Sequence, residues 1–253
     1  MARSPANKRS LGGAGWAGLG GVLLLLAVAV IALTDSAGPA DAASVTMTTT
    51  KDNTLYEDAA GAKSNGAGSY FFTGNTKDGF HRRAVIAFDL SAVPAGSTIT
   101  GVTLTLRASR VAQNVGETVS LRRLLANWGE GTSNADQQEG AGAASTPGDA
   151  TWIHTFYNTA FWSTAGGDFS SAASAATTVG GTGQYSWSSA GMVADVQAWL
   201  DNPATNFGWI VMGNEGTAET AKRFDSKENT TVANRPSLTI TYTPPTTATP
   251  TPT

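Results

Sequence analysis

Hydrophobic and polar residues alternate in the segment TITGVTLTLRASR. Apolar side chains occupy the even positions from Val102 to Ala108, and threonine and arginine occupy the positions between them. A period of two is typical of a strand with one buried face and one solvent face. The preceding segment, RRAVIAFDLSAVPAGS, has apolar residues at alternate positions and then a Pro-Ala-Gly turn at residues 94–96. The two segments therefore predict a strand, a turn and a second strand.

Five further segments carry strand patterns. They are VTMTTTKDNTLYE and SYFFTG near the amino terminus, and residues 119–125, 207–212 and 237–242. The segment FGWIVM at 207–212 is apolar on both faces, which is typical of a central strand. Because the strands do not alternate with helices, a parallel sheet is not expected. The pattern predicts an all-β fold, and the architecture that we expect is a jelly-roll antiparallel β-sandwich.

One segment, SSAGMVADVQAWLDNPATN, has a helical pattern instead. Five apolar residues between Met192 and Leu200 recur at the spacing of one helical face. Ser189 can cap the start of a helix, and Asn202-Pro203 can end it. The sequence therefore predicts one short helix at about residues 190–201, packed over one end of the sandwich.

The two ends of the chain differ from its middle. A short basic region, the apolar run VLLLLAVAVIAL at residues 22–33 and a following ADA predict a signal peptide at residues 1–42. An uncleaved membrane anchor at residues 11–33 is the alternative, and it would be the chain's only membrane contact. The Pro/Thr-rich residues 244–253 predict an extended tail. The folded domain is thus expected at residues 44–243, secreted or at the cell surface.

Composition limits the partners of this domain. The chain has no cysteine, so burial rather than disulfides must hold an exported domain together. Charged residues make up only 14% and there are 29 glycines, which favours a β-rich, turn-rich extracellular protein over a helical enzyme. The net charge of −3 argues against nucleic acid as a partner, because nucleic-acid binding needs a basic surface.

Few residues could carry catalysis. The chain has two histidines, His81 and His154, and no G-x-S-x-G motif. A polysaccharide lyase needs a tyrosine or lysine base and a cation that neutralises the uronate, and Tyr157 with His154 could serve as such a pair. We nevertheless expect no catalytic residues and no enzyme activity.

Oxygen ligands for a metal occur in KDNTLYEDAAG and RFDSKEN. A structural calcium ion is the one cofactor that these residues could hold, although the spacing matches no EF-hand. The candidate ligands are Asp52, Asn53, Asp225 and Glu228.

A family resemblance covers most of residues 50–243. The segments that carry it are RRAVIAFDLSAVPAGSTITGVTLTL, VSLRRLLANWGEG, GDATW, MVADVQAWL with NFGWIVMGNEG, and KRFDSKENTTVANRPSLTITY. Together they resemble the DNRLRE-type extracellular domain, which is related to an alginate-type carbohydrate-binding module family. The resemblance implies a secreted bacterial jelly roll without catalytic activity that binds acidic polysaccharide. Residues 130–148 and 170–183 are inserts relative to shorter members.

These observations predict a secreted noncatalytic β-sandwich that binds or organises extracellular polysaccharide. An acidic polymer needs cations, and the sequence supplies them at Lys77, His81, Arg82, Arg83, Arg107, Arg110, Arg122 and Arg123. The candidate ligand-binding residues are Arg107, Arg122, His154, Tyr157 and Trp162, whereas we expect Trp152 to serve packing. A structural or adhesive surface protein without a glycan ligand is the alternative, and a polysaccharide lyase or hydrolase is less favoured.

Overall fold

The computed structural model describes residues 41–246. The predicted signal peptide at 1–42 and the predicted tail at 244–253 lie almost wholly outside the described residues. Within residues 41–246, no helix is long and apolar enough to cross a membrane.

The described chain consists mainly of strands joined by long loops. In chain order the strands are β1 (Ala43–Thr48), β2 (Lys51–Tyr56), β3 (Lys63–Ser64), β4 (Tyr70–Asn75), β5 (His81–Ala87), β6 (Thr98–Val111), β7 (Glu117–Arg123), β8 (Ala143–Ala144), β9 (His154–Phe156), β10 (Ala160–Phe161), β11 (Ala175–Val179), β12 (Gly183–Trp187), β13 (Trp209–Met212), β14 (Lys222–Asp225) and β15 (Ser237–Thr243). The α-helix α1 spans Ala190–Asp201, which agrees with the predicted position. As expected, the Ser189 side chain caps it by accepting the Met192 N–H at 3.0 Å.

The strands form the predicted jelly-roll antiparallel β-sandwich. Their hydrogen-bonded order is β1-β15-β6-β14-β4-β5-β13-β7-β11, with β12 also on β6 and β2 also on β5. We call β1, β15, β6, β12 and β14 the first sheet, and β2, β5, β13, β7 and β11 the second sheet. Strand β4 pairs with β14 over most of its length and with β5 at its end, so it joins the two sheets.

A large apolar core lies between the two sheets. The even positions of β6 from Val102 to Ala108 are at most 1% exposed, as the alternation predicts. From the second sheet, Trp209 enters the same core, and the Trp199 ring of α1 packs edge-on against it at 4.6 Å. The helix therefore closes one part of the core, which is the role that its apolar face indicates.

A second, smaller core covers the outer face of the second sheet. Strand β13 lies between β5 and β7, and its Ile210 faces away from the first core. Parts of the long connection between β7 and β11, residues 124–174, lie across this outer face. The buried members of the second core are Leu55, Val85, Ala87, Leu124, Trp128, Ala150, Trp152, Trp162 and Ile210. This cover explains why FGWIVM is apolar on both faces.

We expect Trp187→Phe to destabilise the sandwich more than Trp199→Phe does. The Trp187 Nε1 donates a hydrogen bond to the Val119 carbonyl at 2.8 Å, from a strand of the first sheet to a strand of the second. The buried Trp199 Nε1 has no partner among the described residues, so its loss removes ring volume alone. The difference in the free energy of unfolding should be about 1–3 kcal/mol, measured by urea denaturation. Equal losses would show that the Trp187 hydrogen bond contributes nothing to stability.

Candidate functional site

The structure places the two predicted ligand-binding arginines on opposite sides of the sandwich. Arg107 points outward from β6, with its Nε 3.6 Å from the Asp225 Oδ2. Arg122 lies opposite Ile210 in the strand register and so points outward from the second sheet. Its guanidinium donates to the carbonyl oxygens of Ser170 and Ser171. The two arginines therefore do not form one site.

The predicted aromatic candidates lie on the β9–β10 hairpin and in the second core. Trp162 is 5% exposed, and its Nε1 donates to the Thr151 carbonyl at 2.9 Å. His154 is also buried, and its Nδ1 is 2.9 Å from the Thr151 hydroxyl. Burial lowers the His154 pKa, which favours the neutral ring. Only Tyr157 of the three reaches the surface, where it contacts the His154 ring edge-on at 5.2 Å.

Phe161 is the exposed aromatic residue of this hairpin. Its side chain is 65% exposed, and its ring lies 4.5 Å from that of His154. The sequence shows the group of aromatic residues but not which of them faces solvent, because the hairpin register decides that. Most of the group serves the second core, including Trp152, which is 8% exposed as its predicted packing role requires.

Two of the four predicted metal ligands, Asn53 and Asp225, face other partners. The Asn53 Oδ1 already accepts hydrogen bonds from Thr54 N, Asn65 N and the Ser64 hydroxyl, so its oxygen is occupied. The Asp225 carboxyl faces Arg107 instead. The buried Asp225 Oδ2 accepts no hydrogen bond, but within the described part of the chain Asp225 does not belong to a cluster of three acidic side chains.

Asp52 and Glu228, in contrast, meet at one place and are joined there by Glu130. One carboxylate oxygen from each lies within 4.8 Å of the other two. Burial raises the pKa of Asp52 well above its usual range, and the nearby charges of Glu228 and Glu130 raise it further. The Lys227 ammonium lies 3.1 Å from Glu130 Oε2 and also contacts Glu228. A calcium ion would therefore compete with Lys227 for these oxygens, and calcium binding stays a prediction.

Several cationic side chains line one cleft where β4 joins the two sheets. We define the cationic cleft by Arg82 on β5, Arg110 on β6 and Arg223 on β14. These three arginines surround a space of about 230 Å³ that is also lined by Phe72 and Gln138. Among the described residues, none of the three arginines forms a salt bridge with a carboxylate.

A β-bulge positions two of these arginines side by side. Opposite β14, Arg223 pairs with Arg110 but Phe224 pairs with Ala108, so Ser109 is an extra residue on β6. Strict alternation from the outward Arg107 would turn Arg110 toward the core. The bulge shifts the alternation by one residue and turns Arg110 outward beside Arg223.

The surroundings of the cleft hold these arginines in place. The Arg223 guanidinium lies 3.7 Å above the Tyr70 ring and donates from Nε to the Ser109 hydroxyl at 3.2 Å. The Arg82 guanidinium lies 4.9 Å above the Tyr56 ring. Both are therefore stacked on aromatic rings, an arrangement that restricts their motion.

The cleft also brings the positive charges of Arg110 and Arg223 close together at a partly buried position. Burial lowers the pKa of Arg223 and the positive charge of Arg110 also lowers it, whereas Tyr70 and the carboxylates of Asp225 and Glu139 raise it. The Glu139 carboxylate, next to Gln138 in the chain, is already bound by Asn65 Nδ2 and by the Ser69 and Tyr70 N–H groups. Because none of the three arginines forms a salt bridge within the described residues, a ligand anion would be stabilised here.

Arg82 and Arg110 are among the cations predicted from the sequence, whereas Arg223, Gln138 and Glu130 are not predicted there as site residues. Arg223 joins the cleft only through the pairing of β14 with β6, which no local pattern reveals. Gln138 reaches it from the predicted insert at 130–148. No protein-family model matches this chain, and no curated protein is significantly similar to it. The DNRLRE resemblance therefore stays a prediction.

We expect Lys227→Met to increase the response of the protein to calcium. The variant leaves three neighbouring carboxylates without their ammonium, which should lower the free energy of unfolding by about 1–3 kcal/mol at this partly exposed position. Calcium ions then have free oxygen ligands and should raise the unfolding temperature of the variant more than that of the wild type. Thermal unfolding with EDTA and with millimolar calcium measures both effects.

The matched control for this experiment is Lys63→Met, which removes an exposed lysine on β3. Its calcium response should equal that of the wild type. If Lys227→Met also shows the wild-type response, the three carboxylates do not form a site for which an ion and Lys227 compete.

Proposed function

We propose that this protein is a secreted, noncatalytic β-sandwich that binds acidic extracellular polysaccharide through the cationic cleft. The observation that carries the proposal is the convergence of Arg110 and Arg223, with the buried Arg82 beside them, around one cleft in which none of the three forms a salt bridge with any of residues 41–246. Guanidinium groups are suited to carboxylate and sulfate because their N–H donors match the spacing of the anion's oxygens.

The contrast with the rest of the chain supports a specific anionic ligand. The protein as a whole carries a net charge of −3, so a general attraction to polyanions is not expected. The cleft is instead a local concentration of positive charge on an acidic molecule. Such a site attracts an acidic polymer to one place on the surface and repels it elsewhere.

An elongated ligand could continue from the cleft along the first sheet. Arg107 points outward from the same strand as Arg110, and Gln184 of β12 lies beside it in the strand register. Because Asp225 pairs with Arg107, we expect Arg107 to contribute less to binding than Arg110 or Arg223. The predicted signal peptide and the DNRLRE resemblance support an extracellular role for such a site.

We expect the double variant Arg110→Ala/Arg223→Ala to lose affinity for an acidic polysaccharide such as alginate. Hydrogen bonds to charged groups contribute about 1.5–3 kcal/mol each, so the dissociation constant should rise at least about tenfold. Binding by the wild type should also weaken as salt is added. Affinity gel electrophoresis with alginate and with a neutral glucan measures the change and its selectivity.

Arg122→Ala is the control, because it removes the same charge from the opposite side of the sandwich. It should bind the polymer as the wild type does, provided that circular dichroism shows an intact fold. Equal retardation of the double variant and the wild type would exclude the cleft as the binding site. A wild type that binds no polymer at all would instead favour a structural or adhesive surface protein.

A further inference from the structure

A glutamine side chain lies in the cationic cleft at the place where a ligand anion would be stabilised. The Gln138 Oε1 accepts one hydrogen bond from Arg110 Nη1 and one from Arg223 Nη1, each at 2.8 Å. One neutral amide oxygen thus satisfies donors from two cations. No carboxylate takes this position among residues 41–246.

The spacing of the two donors fits an anionic group. Because both nitrogen atoms lie 2.8 Å from the same oxygen, they are no more than twice that distance apart. The two oxygens of a carboxylate, or two oxygens of a sulfate, can bridge such a pair of N–H donors. Hydrogen bonds from guanidinium to a charged oxygen are stronger than those to an amide oxygen, so an anion would compete well with Gln138.

The backbone next to Gln138 is anchored on its Glu139 side, whereas the Gln138 side chain is exposed. Gln137 and Glu139 adopt positive φ angles of 59° and 62°. The Glu139 carboxylate anchors the loop through three hydrogen bonds, from Asn65 and from the Ser69 and Tyr70 N–H groups. The Gln138 side chain can therefore turn away from the arginines without moving the loop.

We propose that Gln138 is an internal competitor of the ligand, whose amide oxygen occupies the position of a carboxylate or sulfate group of the bound polysaccharide. This inference rests on the proposed function of the cleft. Binding requires the Gln138 side chain to leave and the anionic group to take over both Nη1 donors. The ligand is therefore a polymer with anionic groups that project far enough to bridge two guanidinium groups.

Two substitutions at this one position should have opposite effects on affinity. Gln138→Ala removes the competitor and should tighten binding about two- to tenfold. This factor is the change in affinity that corresponds to the net free energy of one hydrogen bond. Gln138→Glu places a fixed carboxylate between the arginines and should weaken binding at least about tenfold. Isothermal titration calorimetry with an oligomeric uronate and with a sulfated oligosaccharide measures both variants and distinguishes the two anionic groups.

A measurement without ligand tests the same geometry. Gln138→Glu should unfold at a higher temperature than Gln138→Ala at low salt, and the difference should shrink at high salt because ions screen the new pair. Gln113→Ala, at an exposed glutamine that does not line the cleft, is the control and should leave affinity unchanged.

The outcomes separate this inference from the proposed function. If Gln138→Ala weakens binding or leaves it unchanged while Arg110→Ala/Arg223→Ala abolishes it, the cleft is the binding site but Gln138 is not a competitor. If the arginine variant binds normally, the proposed site is wrong and the inference is overturned with it. Tighter binding by Gln138→Ala and weaker binding by Gln138→Glu is the result that supports both.

Discussion

The second sheet is apolar on both faces, and burying both of them is the constraint on which the rest of the structure depends. One face packs against the first sheet, but the face that carries Ile210 needs a separate cover. Without cysteine, apolar burial has to hold that cover in place. The connection at residues 124–174 provides it with three tryptophans, which are among the largest side chains available for burial.

The same connection builds the polar sites of the molecule. Trp128 is buried in the second core, and this burial positions the neighbouring Glu130. Glu130 thereby meets Asp52 and Glu228. Farther along the connection, the Glu139 carboxylate fixes the loop that carries Gln138 into the cationic cleft. The apolar cover and the functional surface are thus parts of one segment. A change that loosens the second core should therefore affect the cleft as well as stability.

The main elements of the fold follow from local sequence patterns. Burial of one or two faces determines the order of apolar residues in an element. This is why the sequence predicts the alternation along β6, the helix at residues 190–201 and the central position of β13. The bulge at Ser109 does not follow from such a pattern. Strict alternation turns Arg110 inward, and only the pairing of β6 with β14 shows that it faces outward beside Arg223.

Sites assembled from distant segments were harder to predict. Asp52, Glu130 and Glu228 come together from three separate parts of the chain. Of the three, only Asp52 and Glu228 are predicted from the sequence as metal ligands. His154 and Trp162 were expected to face a ligand, yet both lie in the interior, because the hairpin register decides which aromatic rings cover the sheet. Arg107 and Arg122 look equivalent in the sequence, but they belong to opposite sheets.

Direct observation of the arginine side chains during ligand titration tests the central claim. In ¹⁵N NMR spectra, the Nε–Hε resonances of Arg110 and Arg223 report the environment of each guanidinium separately. A binding site between these arginines predicts that both resonances shift and saturate together with an acidic oligosaccharide, while those of Arg122 and Arg235 stay in place. Saturable binding that leaves Arg110 and Arg223 unshifted would contradict this account.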